Sequence, residues 1–362
     1  MGAKQVSVSG KSSLVWLVGT GAVIGGLAVL LTKFGNPANM GLCAACFLRD
    51  AAGALGLDVN TAPSYLRPEI LGFLLGAFIL SKLRGEWKSQ GGSASLSRFF
   101  IAFFVMIGAL VFLGCPLRVM LRLGGGDLNA LIGLIGFGAG VGIGSIFIRK
   151  GFSFGEVKVQ GIANGWIMSV LAVVLLVFLI VKPAFIRFSA AGPGSQHAPV
   201  IVSLVFAIII GALVQKSGLC MSGSIRNIVL IKNPTMFWGY LAIFVIALIG
   251  NLVQGSFKLG FEGQPIAHTN ALFNFLGLAL VGYGSVLLGG CPLRQIIMAG
   301  EGNSDSGICI LGFIVAGATA HNFGIAASPA GVPLNGKIAV IIGILVITVF
   351  AFSYTKKSAA KA

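Results

Sequence analysis

Six cysteines stand in this chain of 362 residues, and two pairs of them recur in matched surroundings. Gly41-Leu42-Cys43 returns 177 residues later as Gly218-Leu219-Cys220, and each is followed six residues on by an arginine, Arg49 or Arg226. Gly114-Cys115-Pro116-Leu117-Arg118 returns unchanged as Gly290-Cys291-Pro292-Leu293-Arg294, 176 residues later. Proline suits the first turn of a helix, where its missing N–H costs nothing. Cys115 and Cys291 then take the cap position, each thiol beside unpaired backbone N–H groups. Such a helix end carries partial positive charge, binds anions and makes a thiol more polar. Arg118 and Arg294, one turn later, add charge for an oxyanion.

Cys43-Ala44-Ala45-Cys46 has the spacing of a redox or metal-binding pair. A redox motif of this kind wants a thioredoxin-like fold, and zinc wants four ligands. Cys43 and Cys220 therefore read as a second thiol pair near a constriction, with Cys46, which matches Gly223, as an added contact. The competing reading is packing, because cysteine is a small apolar residue. Cys309 has no counterpart in the repeat and reads as a packing residue. His321 could carry a proton, or be a hydrogen-bonded core histidine. Asp127 and Glu301–Asp305 are expected to pair with Arg122 or other cations at the membrane edge. Gly124–Gly126 lacks the strand–helix context of a phosphate loop, so nucleotide binding is rejected.

The elements that hold these residues must lie in a membrane. Hydrophobic residues make up 56% of the chain and charged residues 9%, with a mean hydropathy of +0.99. A soluble domain carries about 25% charged residues. A soluble enzyme is excluded, and an all-α polytopic membrane protein is the expected class. The 54 glycines suit helices that approach closely or break. Apolar runs at 14–32, 66–81, 98–113, 128–149, 164–181, 199–215, 235–254, 270–289, 308–326 and 336–353 give ten candidate spans. Four further stretches, starting near Gly41, Gly114, Gly218 and Gly290, are too apolar for loops and too broken for full spans. They fit re-entrant half-helices, tolerated at membrane depth only where buried in protein or lining a wet cavity.

The 25 Lys and Arg against 9 Asp and Glu would suggest nucleic acid in a soluble protein. Here part of the excess sets topology. With a cytoplasmic N-terminus, 16 of the 25 fall on the inner side, from Lys4 and Lys11 to Lys357 and Lys361. Both termini are thus expected in the cytoplasm, and the first apolar run is expected to remain as a span rather than a cleaved signal. Arginines in apolar or glycine-rich surroundings favour an anion as the transported species. The register of the repeat divides the chain into 1–183 and 184–362. Five spans per half is an odd number, so the second half must be inverted. Inverted repeats place the substrate near the midplane, where the four broken segments would converge.

The paired Gly-Cys-Pro-Leu-Arg motifs, the Gly-Leu-Cys motifs and the two-half layout resemble the YeeE/YedE membrane proteins, over about Leu14 to Tyr354. The stretch Gly-Leu-Cys-Ala-Ala-Cys-Phe-Leu-Arg-Asp is most similar to the YedE branch associated with selenium metabolism. The resemblance implies an hourglass-shaped importer in the cell inner membrane, whose central cysteines pass a sulfur-containing anion by S–H···S contacts. It maps that role onto Cys43, Cys115, Cys220 and Cys291. Cys46 is an addition, and it leaves the choice between thiosulfate and a selenium analogue open. No cofactor, metal or nucleic acid is expected; a cytoplasmic sulfur-carrier protein is an expected partner. Two other readings compete: a membrane thiol redox relay using Cys43 and Cys46, and an ion channel with glycine-rich half-helices.

Overall fold

A computed structural model describes residues 10–359; Lys4 and Lys361, counted above in the charge bias, lie outside the described residues. Each apolar run becomes a long helix and each broken stretch a short one. Up to residue 183 these are α1 (Gly10–Lys33), the short α2 (Ala44–Ala54), α3 (Pro68–Leu83), α4 (Ser95–Phe112), the short α5 (Pro116–Gly124), α6 (Asn129–Arg149) and α7 (Ile162–Val181). Beyond it come α8 (Val200–Ser217), the short α9 (Met221–Ile231), α10 (Thr235–Val253), α11 (Ala271–Leu288), the short α12 (Pro292–Gly300), α13 (Ser304–Asn322) and α14 (Leu334–Ala359). Two-residue strands, β1 (Gln90–Gly91) and β2 (Lys158–Val159), pair antiparallel. Among the described residues, nine helical stretches are long and apolar enough to cross a membrane. α3, with 16 residues, is the short member of the set of long helices. The chain is an all-α polytopic membrane protein.

Local chemistry sets the helix ends. Pro68, Pro116 and Pro292 open α3, α5 and α12. Asn270 and Asn303 cap α11 and α13, each side-chain oxygen accepting from the amide three residues on. Gly289 ends α11 in the left-handed region at φ 82°, which glycine adopts freely. The counterpart after α4 is Leu113, at φ 62° and buried. A leucine held there costs about 1–2 kcal/mol, and the contacts that hold it are described below.

Packing follows an exchange rule. α3 packs on α8, and α10 on α1; α6 packs on α11, and α13 on α4. α12 lies against α3, and α5 against α10; α2 lies against α13, and α9 against α6. Each pairing becomes the other when every helix is replaced by the one seven places along. The last helix of each set departs from the rule: α7 lies on α3 and α12, whereas α14 lies on α4 and α11. The core is therefore built by helices from both parts of the chain interleaved, with α4 against α11 at its middle.

Glycine makes these contacts close. A Cβ on Gly140 of α6 would sit 1.9 Å from the carbonyl oxygen of Ala279 on α11. One on Gly21 of α1 would sit 2.0 Å from the carbonyl oxygen of Gly239 on α10. Backbone touches backbone at both places, the packing that small residues permit between membrane helices. Outward faces are apolar, with Ile167, Val170, Val177 and Ile180 of α7 and Ile341, Leu345 and Val349 of α14 all exposed. Charged groups turn inward as pairs: Arg122–Asp127 at 2.7 Å and Arg67–Asp50 at 2.8 Å are fully buried.

Candidate substrate pathway: the buried thiols

The short helices start at their cysteines. Cys43 and Cys220 are the N-caps of α2 and α9. Their sulfurs accept from the amides of Cys46 at 3.3 Å and Gly223 at 3.4 Å. The sequence places Cys115 and Cys291 at cap positions as well. Cys115 and Cys291 do occupy the cap positions of α5 and α12, in extended backbone, but neither sulfur bonds its own helix as a side-chain cap. They are left to face their neighbours. The Cys115 sulfur lies 3.8 Å from that of Cys43, which is 3.0 Å from that of Cys46. In the other set, the Cys291 sulfur lies 3.7 Å from that of Met221, the residue after Cys220. The Cys220 sulfur is also 3.3 Å from the Ser222 hydroxyl. All five cysteines are buried.

Each cluster thus joins two helix N-termini, α2 with α5 and α9 with α12. Helix N-termini present N–H donors and partial positive charge; thiols add weak, polarizable donors and acceptors. Tyr240 is wholly buried on α10. Its hydroxyl donates to the Pro116 carbonyl at 2.7 Å, fixing the first turn of α5. Nothing in the sequence marked it, because the contact spans 124 residues.

The two motif arginines have different work. Arg118 is wholly buried and gives its N–H groups to the carbonyls of Asn39 at 2.9 Å, Ile266 at 3.3 Å and Leu113. Its Nη1 also lies 3.6 Å from the Cys46 sulfur, so its charge reaches the thiols. Arg122, one turn on, donates to the Phe112 carbonyl at 2.8 Å. Both cations thus answer the exposed carbonyls and negative end of α4, and they hold Leu113 in its left-handed conformation. Arg294 instead forms a partly exposed ion pair with Glu301 at 3.2 Å. The place at the end of α11 goes to Gln295, whose amide donates to the carbonyls of Leu288 and Gly290.

The expected acid–base pairs form, but not all at an edge. Asp127 meets Arg122 in the fully buried interior, Asp305 meets Arg98 at 3.4 Å, and Glu301 meets Arg294. His321 lies apart from the thiols, its Nδ1 3.0 Å from the Asn60 amide nitrogen. His268, which sequence reasoning passed over, sits in the segment before α11. Burial pushes its imidazole below the usual range, and its Nε2 lies 2.7 Å from the Val111 carbonyl. Cys309 is buried within α13. Among the described residues no group of three or more His, Cys, Asp or Glu is disposed to hold a metal ion.

A polar cavity of about 290 Å³ opens beside Lys33, Asn39, Asn251 and Lys258. A narrower gap shares Thr32, Asn39 and Asn251 with it and runs to Gly41 and Leu121. Gly41 is two residues before Cys43, and Asn39 is held by Arg118. The cavity therefore leads toward the first thiol cluster.

A family model described as sulphur transport matches residues 216–360. The thiosulfate transporter TsuA of Escherichia coli (strain K12) is 26% identical over 122 residues, which make up 32% of this chain and 32% of that protein. The match thus spans about a third of the length of that curated relative. Residues 216–360 are thus similar to the sulphur-transport family, and the matched cysteine motifs stand at the starts of all four short helices.

Proposed function

We propose that this chain is a permease importing a small sulfur-containing anion, thiosulfate or a selenium analogue, through a constriction lined by Cys43, Cys46, Cys115, Cys220 and Cys291. The single observation that carries this reading is the seating of two thiol clusters at the N-termini of the four short helices. A large, polarizable sulfur atom suits the weak thiol donors, while the oxyanion end suits backbone N–H groups and Arg118. Arg294 contributes less charge, because Glu301 neutralises it. The name of the E. coli relative supports thiosulfate as the first candidate. Uptake of radiolabelled thiosulfate into cells lacking other sulfur importers tests this, with selenite and sulfate as competitors. Saturable uptake that sulfate fails to inhibit is the expected result; no uptake above the empty vector would remove the proposal.

Two repeats, 1–183 and 184–362, inserted in opposite senses, are part of the same reading, with both termini in the cytoplasm of an inner-membrane protein. The exchange rule in helix packing and the paired Cys caps support it. In this orientation the polar cavity at Lys33 and Lys258 opens outward, as an importer requires. Reporters fused near Ser89 and at the C-terminus are expected to read cytoplasm, and an external signal at either would break it. A cytoplasmic sulfur-carrier protein would receive the anion on the inner side. The redox-relay alternative draws on the 3.0 Å separation of the Cys43 and Cys46 sulfurs. It requires that Cys46→Ala alone abolish function and that the substrate be chemically altered; the permease leaves substrate unaltered.

A further inference from the structure

We propose that Glu69 is a proton-binding site that couples anion import to proton movement, an inference that rests on the permease reading above. Glu69 lies in the first turn of α3 and is wholly buried. Its Oε1 accepts from the Asn36 amide at 2.7 Å and the Ser203 hydroxyl at 3.0 Å. Its Oε2, equally buried, has no hydrogen-bond partner. No salt bridge reaches it among the described residues, whereas Asp50, Asp127, Asp305 and Glu301 each have an arginine. An acid left without a cation inside a membrane protein marks an ion or proton pathway by default.

The charged groups around it are committed to other partners. Arg67, two residues earlier, is committed to Asp50 and to the carbonyls of Pro193 and Gln196. From α2 the facing charges are Asp50 and Arg49, already paired with each other. From α8 the facing group is Ser203, and α7 carries no titratable side chain. Tyr65, in the segment before α3, has a buried hydroxyl that also lacks a partner. Its ring stacks at 4.3 Å on exposed His197.

The connection to the anion path runs through Asn36. One side-chain nitrogen serves both Glu69 and the Gly41 carbonyl at 3.0 Å, just ahead of Cys43. Its oxygen accepts from the Ala198 amide at 2.8 Å. Ala198 and Ser203 belong to the later part of the chain, and Asn36, Gly41 and Glu69 to the earlier part. A change in the charge of Glu69 therefore acts on the contact between the two parts and on the approach to the first thiol cluster together. In the cycle, the proton is taken from the outer solution and released to the cytoplasm with the anion.

The test uses the full chain in liposomes with the membrane potential clamped at zero and labelled thiosulfate as the probe. Wild-type accumulation is expected to rise about tenfold for each unit by which the outer pH is lowered, for one proton per anion. Glu69→Gln is expected to keep thiosulfate exchange at equal pH and to lose the gradient-driven accumulation. Accumulation that still follows the pH gradient in Glu69→Gln, or wild-type accumulation indifferent to it, overturns the proposal. Wild-type protein that exchanges no thiosulfate removes the permease reading and this proposal with it. Ser203→Ala guards against misfolding of the first variant. It removes a donor to the ionised carboxylate, so the pH of half-maximal uptake is expected to move upward; an unmoved midpoint counts against Glu69.

Discussion

Replacing Cys115 or Cys291 with alanine is expected to cut uptake by about 10–100-fold, the loss of a hydrogen bond to a charged group, while folded protein is retained. Each sulfur is left free by its own helix cap and faces the neighbouring thiol or thioether instead. Alanine removes that donor and little volume. Serine separates two causes: it keeps a donor but loses the polarizable sulfur, so a strict thiol requirement makes Cys115→Ser and Cys291→Ser fail as well. Near wild-type uptake in both the alanine and serine variants would reduce these thiols to packing. Uptake per folded molecule, with the amount of monodisperse protein measured in parallel, is the deciding quantity.

The second large effect falls on the scaffold. Gly140→Ala places a methyl 1.9 Å from the Ala279 carbonyl oxygen, so α6 and α11 must separate. Overpacking of this kind costs about 1–3 kcal/mol; here the obstacle is backbone, which cannot swing aside as a side chain would. Gly140→Leu is expected to yield no folded protein, and Gly140→Ala a clear drop in the unfolding temperature of the detergent-solubilised chain. Gly138, on the same helix, has nothing within 4 Å of its Cβ position, so Gly138→Ala is expected to be neutral. Equal effects at 138 and 140 would show that helix propensity, rather than the α6–α11 contact, governs this site.

Hydropathy and punctuation made much of the architecture legible. Apolar runs mark the long helices because lipid leaves the backbone no other partner, and Pro116 and Pro292 mark the starts of two short ones. The four cysteine caps were readable from the spacing of the repeat. That Cys43 and Cys220 bond their own helices was also within reach, since each stands three residues before an amide that needs a partner. What the repeat concealed is divergence between its copies. Arg118 and Arg294 share a motif, yet one serves the end of α4 and the other Glu301. The difference is made by Asn39, Ile266 and Glu301, which no local pattern connects to the motif. Tyr240 and Glu69 escaped for the same reason, their partners lying 124 and 134 residues away. Leu113 adopts a backbone that its sequence argues against, held there by two arginines from the next helix.

The most direct measurement follows one labelled anion across one membrane. Purified chain in liposomes is given thiosulfate carrying ³⁵S in its outer, reduced sulfur, and the internal contents are separated by ion chromatography. Passage through a thiol-lined constriction should deliver intact thiosulfate with the label still on the outer sulfur, at a rate about 10–100-fold lower in the Cys115→Ala and Cys291→Ala proteins. Internal sulfite, label retained on the protein as a persulfide, or equal passage through the cysteine variants would contradict it.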